Sequence, residues 1–273
     1  MPELPEVETV RRMVSPHIIG RTITHISVTK PVIDHPSTDE FIHTLTGDIF
    51  VDTARRGKYL LFSMKSGRML VLHLRMTGCL IAAPAHHPYE PHTHVIFHLD
   101  DDWELRFSDT RRFGRFWLFD DDASSEGCGL KKLGPEPWDA IVTGEYLRSR
   151  VGSSSRSIKD CLLDQSVIAG IGNIYSDEIL FETGILPTRK AESLTDHEWS
   201  LLADNIGKCM RFFLIKNEIS DEDYINGHGK DYRNTPFLSV YGRSGKPCLR
   251  CGNTLSRCVV GQRGSVFCRR CQN

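Results

Sequence analysis

Four of the nine cysteines stand as two C-x2-C pairs near the end of a 273-residue chain, Cys248 with Cys251 and Cys268 with Cys271, with sixteen residues between the pairs. Two such knuckles bring their thiolates to tetrahedral geometry around one Zn²⁺, and four thiolates fill its shell, so this ion is structural and keeps no position for a reactive water. Cys79, Cys128, Cys161, Cys209 and Cys258 lie away from ligand spacing, and the odd total speaks for reduced thiols rather than a disulfide framework. Reactive chemistry must then come from elsewhere. The first residues, MPELPEVETVRR, offer one source: Pro2 permits removal of Met1, which would leave a free secondary amine beside Glu3. An α-amino group titrates near ~8, below lysine at ~10.4, so part of it is an unprotonated nucleophile at neutral pH, with a carboxyl at hand to move protons. On composition alone the plainer account, an acidic helix start behind a common Met-Pro, is the stronger one.

Further candidates are weaker one by one. Gly170 and Gly172 lead through Ile171 to Asn173, which would cap a helix ending at Gly184, and a helix start reached in this way presents N–H groups to a phosphate. The run 259 VVGQRGSVF between the cysteine pairs predicts a hairpin whose turn, Gly261 to Gly264, carries Arg263 outward as a phosphate contact. His86, His87, His92, His94 and His98 invite a metal reading, but no fixed pair spacing with a Cys or carboxylate supports it, and a loop running into a strand is the simpler account.

The elements that must position these residues follow from periodicity. Pro5 in a first turn, Glu6 and Glu8 at the positive end of the dipole, and Val7, Val10 and Val14 on one stripe predict a helix at the start. From Ile23 to about Phe119, short alternating runs such as 23 ITHISVTK and 69 MLVLHLRM, broken by Gly, Asp and Pro, predict an antiparallel β domain. The stretch from 133 LGPEPW through Ser153, Ser154 and Ser155 reads as a linker. Beyond it the period becomes helical, with Ser157 as an N-cap and Thr195 with Glu198 as a capping box ahead of Ile206, Met210 and Phe213.

Charge narrows the class. The formal net charge of −1 announces no nucleic-acid partner, yet Leu238 to Asn273 carries seven Lys and Arg and no Asp or Glu. The balancing acid lies in runs such as Asp100–Asp102 and Asp120–Asp122, read as solvated turns. No apolar run approaches the ~18 residues of a membrane span, and the charged, Pro-rich start is unlike a secretory leader, so a cytoplasmic protein is expected.

Taken together and in order, 1 MPELPEVETVRR, 57 GKYLLF, 73 HLRMTG, 111 RRFG, 133 LGPEP, 164 DQSVIAGIGNIYSDEILF and the four-cysteine ribbon resemble the bacterial formamidopyrimidine-DNA glycosylases over nearly the whole chain. The resemblance implies an α+β multidomain protein: an antiparallel β-sandwich with an N-terminal helix over 1–135, a linker over 136–156, a helix-two-turn-helix domain over 157–237 and a zinc finger over 238–273. It further implies a bifunctional base-excision repair enzyme acting as a monomer on damaged double-stranded DNA, cytoplasmic and nucleoid-associated, with one structural zinc and no membrane contact. Such an enzyme flips an oxidised purine out of the stack, attacks the sugar C1′ through Pro2, and cleaves the strand by successive eliminations from a Schiff base.

By the same resemblance Glu3 is the partner acid and base, and Lys58 lies near the reaction centre and a phosphate. Met76, Arg111 and Phe113 fill the vacated stack, with Arg111 facing the orphaned cytosine, while His73, Lys159, Asn173, Tyr241 and Arg263 contact phosphates. The segment 225 INGHGKDYRNTPF departs from the family's usual lesion-contacting loop, whose glycines and asparagines suit a mobile cover. Good excision of formamidopyrimidines, with 8-oxoguanine excised more weakly than by family members carrying the usual loop, is the expectation. Two rivals remain: an endonuclease VIII-like enzyme for oxidised pyrimidines, against which Leu4 and the RRFG run weigh, and a noncatalytic zinc-ribbon DNA-binding protein, against which Pro2 and Glu3 weigh.

Overall fold

A computed structural model describes residues 2–120, 127–229 and 232–273 and divides the chain into two compact units. The first comprises residues 1–131 and 217–233, the second 132–216 and 234–273. Met1, Asp121 and Asp122 lie outside the described residues, as do Lys230 and Asp231 of the 225–237 loop.

The first unit opens with helix α1 (Leu4–Ile18), whose Val7, Val10 and Val14 form the buried stripe that their spacing predicts, continued in the structure by Ile18. Its start is secured by Glu6, whose Oε2 accepts from the Glu3 N–H at 2.8 Å. Nine strands follow among the described residues: β1 (Ile23–Val28), β2 (Ile33–His35), β3 (Phe50–Arg56), β4 (Tyr59–Met64), β5 (Met69–His73), β6 (Gly78–Pro84), β7 (Thr93–Leu99), β8 (Trp103–Asp109) and β9 (Arg115–Phe119). They form a four-stranded sheet, β1-β7-β8-β6, and a five-stranded sheet, β2-β9-β5-β4-β3, antiparallel except where short β2 runs parallel to β9. The inner faces meet over Phe62, Phe97, Phe107, Phe116 and their aliphatic neighbours, making the sandwich core. Helix α1 lies along β6 and β3, the edge strands at one side of the two sheets, and so covers unpaired backbone while holding the chain's start in place.

One helix interrupts the strands, α2 (Thr38–Leu45), with Ser37 capping the Glu40 N–H at 3.3 Å and Phe41 and Leu45 buried. The Ser37-x-x-Glu40 pair ahead of an apolar Phe41 is its mark in the sequence. The second departure is larger. The chain returns to the first unit at Asn217, and α7 (Asp221–Asn226) lies against β6, where the buried Tyr224 donates its hydroxyl to Leu80 O at 2.8 Å. Helical periodicity cannot register this return, because a helix reads the same whichever body it packs against.

The second unit contains α3 (Gly144–Val151), α4 (Ile158–Leu163), α5 (Asn173–Thr183) and α6 (Asp196–Lys216), followed by a hairpin of β10 (Ser256–Val260) and β11 (Arg263–Phe267). Helix α3 falls inside the stretch read as a linker. Leu147 and Val151, four residues apart, are buried as α3 packs on α6, too short an apolar repeat to stand out among Arg and Ser neighbours. Ser157 caps α4, accepting from the Asp160 N–H at 3.0 Å, and Thr195 with Glu198 forms the expected box at the head of α6. Gly184 ends α5 in the left-handed conformation, φ 72°, which a glycine adopts without strain. Asn173, however, is the first helical residue of α5, not its cap, and Gly172 occupies the capping position. Among the described residues no helix is long and apolar enough to cross a membrane.

Candidate functional site

In the second unit the Sγ atoms of Cys248, Cys251, Cys268 and Cys271 all lie within 4.8 Å of one another, with Cys248 to Cys271 at 3.9 Å and Cys251 to Cys268 at 3.4 Å. Zn–S bonds of ~2.3 Å in a tetrahedron call for sulfurs at such separations. Without a cation the crowding is costly: burial first, then the neighbouring sulfurs, push the Cys271 thiol up to about 12. A dication is what lets four adjacent thiols ionise together, so this donor set fits one structural zinc ion. Among the described residues no group drawn from the five histidines gathers in this way. His94 is buried with Nε2 2.9 Å from Asp109 O, and His98 pairs with Glu104 at 2.8 Å.

Pro2 and Glu3 occupy the head of α1 in the first unit, both buried. A buried carboxyl adjoining a nitrogen is equipped to exchange protons with it once Met1 has gone and the tertiary amide has become a secondary amine. Lys58 sits in the two-residue turn between β3 and β4, and it is 7 % exposed. His73 stands opposite its neighbour Tyr59 in the β4–β5 register. Burial, then Arg75 and Lys58, bring the His73 imidazole down to about 3, so it is neutral at physiological pH. Its Nδ1 accepts from the Arg75 N–H at 2.9 Å, which leaves the proton on Nε2. A neutral N–H donor with two cations nearby is a combination suited to a phosphate oxygen.

Met76, Arg111 and Phe113 come together on the surface of the same unit from two different loops. Met76 and Phe113 are 43 % and 45 % exposed, unusual for such apolar side chains, and Arg111 joins them. Its guanidinium lies 4.6 Å from the Phe113 ring centroid and its Nη1 3.1 Å from Met76 Sδ. Asp109 builds this platform: one oxygen accepts from the Arg111 N–H at 3.1 Å and is bonded to Thr77 Oγ1, and the other accepts from Gly114 N–H at 2.8 Å. Three non-glycine exposed residues held by one buried carboxylate make a wedge with a cationic tip. Sequence reasoning passed over Asp109, although an Asp two residues before an RRFG turn is a ready acceptor for its amides.

The phosphate candidates of the second unit gather around the β10–β11 hairpin. Its turn is Gly261-Gln262, both at positive φ, 52° and 63°, so Arg263 is the first residue of β11 and not part of the turn; it is exposed. A side chain at Gly261 would collide with Asp160, which explains the glycine. Asn173 Nδ2 donates to Gly264 O at 3.2 Å, tying the head of α5 to the residue after Arg263. Tyr241, half-buried, is held through its backbone N–H by Glu178 at 2.8 Å, and the same carboxylate accepts from Ser239 and Val240.

Lys159 is a correction. Its side chain is wholly buried and its Nζ lies 2.6 Å from Asp177 Oδ1 and 3.4 Å from Gly264 O, so the ammonium has no route to a phosphate. Asp177 also accepts from Ser265 Oγ at 2.6 Å and Val266 N–H at 2.9 Å, and Lys159 serves as counter-ion to this clamp on the hairpin. Adjacent Asp177 and Glu178 were not singled out in the sequence because an acidic pair on a helix is usually solvated. Only packing reveals them as anchors.

Three family models match the chain: the formamidopyrimidine-DNA glycosylase N-terminal domain over residues 1–116, its H2TH domain over 133–223, and the zinc finger found in FPG and IleRS over 245–273. The formamidopyrimidine-DNA glycosylase of Pelotomaculum thermopropionicum is 42 % identical over 273 residues, covering 100 % of this chain and 99 % of the relative. That of Desulforamulus reducens is 44 % identical over 274 residues with the same coverage. Among solved structures, Lactococcus lactis FPG (MutM) with a FAPY-dG containing DNA superimposes with a TM-score of 0.90 at 34 % identity, covering 99 % of this chain and all of that one. MutM in complex with carbocyclic 8-oxo-G containing DNA does so at 0.90 and 35 % identity over all of both chains. With each domain matched in order and relatives above 40 % identity along the full length, the chain belongs to the formamidopyrimidine-DNA glycosylase family.

Proposed function

We propose that Pro2 is the nucleophile with which this DNA glycosylase and AP lyase removes oxidised purines from duplex DNA. The observation that carries the reading is the placement of Pro2 and Glu3, both buried, at the secured head of α1. In the reaction the amine lone pair attacks C1′ while the glycosidic bond breaks, and the base leaves with the bonding electrons and takes up a proton. The adduct loses its amine proton, and the nitrogen lone pair then breaks the C1′–O4′ bond as O4′ takes up a proton, giving a cationic Schiff base on the opened sugar; this acidifies the C2′ proton, whose loss expels the 3′-phosphate, and a second elimination expels the 5′-phosphate. Glu3 moves the protons. Lys58 and His73 hold a backbone phosphate, and Asn173, Tyr241 and Arg263 hold others, so the electrostatic contacts come from both units. Met76 and Phe113 occupy the vacated stack and Arg111 reads the unpaired cytosine.

We infer that the enzyme works as a monomer in the cytoplasm at the nucleoid, where duplex DNA, its substrate, lies. Incubation with an 8-oxoguanine:cytosine duplex under borohydride, followed by peptide mapping, tests it. The adduct is expected on Pro2; one mapped to a lysine overturns the assignment.

A further inference from the structure

A second polar cluster stands behind Pro2. Glu6 spans it: Oε2 accepts from the Glu3 N–H at 2.8 Å, and Oε1 accepts from Asn217 Nδ2 at 3.2 Å. Asn217 is the residue at which the chain re-enters the first unit, and its own carbonyl is 3.4 Å from Thr9 Oγ1, which also donates to Pro5 O at 3.1 Å. Glu3, Glu6, Thr9 and Asn217 are all at least 95 % buried. The Glu3 N–H belongs to the peptide that carries the Pro2 carbonyl, so the carboxylate that holds it sets the plane on which the Pro2 ring is mounted. The amide of Asn217 is held as a donor to Glu6, and this leaves its Oδ1 buried without a partner. Such an orphan costs roughly 1–3 kcal/mol, which a merely space-filling residue would not incur.

We propose that Asn217 is a positioning residue for the nucleophile, fixing the Glu6 carboxylate and through it the Pro2–Glu3 peptide. This rests on Pro2 being the nucleophile. A nucleophile displaced by about 1 Å loses up to ~100-fold in rate without losing its substrate.

The test is single-turnover borohydride trapping on an abasic duplex at saturating enzyme, with Kd for the same duplex and the trappable end-point measured alongside. Wild type must trap on Pro2; if it does not, the functional reading fails before this one is reached. N217D sets a second carboxylate against Glu6, and its trapping rate is expected to fall ~10–100-fold with Kd unchanged. E6Q/N217D restores the pair with donor and acceptor exchanged, since the new amide on α1 can donate to the new carboxylate while accepting from the Glu3 N–H, and should recover most of the rate. N217A should fall between wild type and N217D. An unchanged rate per trappable site in N217D, or no recovery in the exchanged pair when both variants fold to wild-type end-points, overturns the proposal. If N217D does not fold, the exchanged pair decides against N217A: a rate no higher than that of N217A overturns it as well.

Discussion

Met76, Arg111 and Phe113 show how side chains from two loops combine into one exposed platform. Arg111 lies on Phe113 and against Met76, and each of the three is held by loop backbone that Asp109 anchors, so the guanidinium is presented as a planar donor rather than as a free charge. Arg111→Ala should leave affinity for undamaged duplex nearly intact and cut the preference for cytosine over adenine opposite the lesion by roughly 1–3 kcal/mol. The ratio of turnover on the two duplexes measures it, and an unchanged ratio would leave Arg111 a surface charge. Lys159 makes the contrary case. Being buried against Asp177, it should behave as half of an interior ion pair: Lys159→Met is expected to destabilise by roughly 3–5 kcal/mol because it strands Asp177. The salt dependence of DNA binding by the folded fraction should keep its slope, whereas loss of a true phosphate contact would lower it by about 0.9.

At the scale of elements, the zinc ribbon is the part that cannot stand on packing alone. Its core is a handful of buried residues, Val240, Cys248, Leu255, Val266 and Cys268 with Phe181 of α5, too few to fold a segment of this size without metal. Removing zinc, or Cys268→Ser, should therefore abolish duplex binding while Pro2 stays reactive towards a small aldehyde under borohydride. Undiminished affinity in protein shown to be metal-free would contradict this. The segment from Ile225 to Phe237 reads from its glycines and asparagines as a cover able to order over a flipped base, and its first described residues rest against β6. The Cys79 thiol donates to His228 O at 3.0 Å, and a Cβ on Gly229 would strike Cys79 and Ile81. Discriminating 8-oxoguanine from guanine needs an acceptor for the proton at N7, whereas a ring-opened formamidopyrimidine differs in shape. This protein should excise formamidopyrimidines well and 8-oxoguanine more weakly than relatives with the usual loop. Single-turnover rates for both lesions, in this protein and in a chimera carrying that loop, decide it; an unchanged ratio in the chimera removes the idea.

For the whole molecule, the neutral imidazole at His73 ties phosphate binding to stability. Its folded value near 3 lies below the ordinary 6.5, so between those limits the unfolded chain binds a proton that the folded one does not. Its contribution is fully present above about 6.5 and drains away as pH falls through that window, at about 1.4 kcal/mol per pH unit at most. Thermal unfolding should show a midpoint that falls between roughly pH 6 and pH 4, and His73→Gln should flatten that slope. A slope unaltered in the variant would show that other groups carry the acid sensitivity. The overall charge of −1 hides a tail with seven cations and no anion, so salt should weaken DNA binding far more than net charge suggests.

Covalent spacing and local periodicity are properties of the chain itself, and what depends on them was legible in the sequence: the four ligand cysteines, the stripe of α1, the caps Ser157 and Thr195, and the antiparallel strands from Ile23 onward. The order of seven motifs carried the family, and with it the residues of the wedge. Tertiary structure alone decided which charges are buried. Lys159 on α4 and Asp177 and Glu178 on α5 read as solvated charges, and only packing makes Asp177, paired with Lys159, a clamp on the hairpin and Glu178 an anchor for the backbone of Ser239 to Tyr241. Likewise Asn217 reads as an ordinary residue after a long helix. It acquires a partner 211 positions away in Glu6 because the chain folds back, and contacts so distant in sequence leave no mark in local pattern.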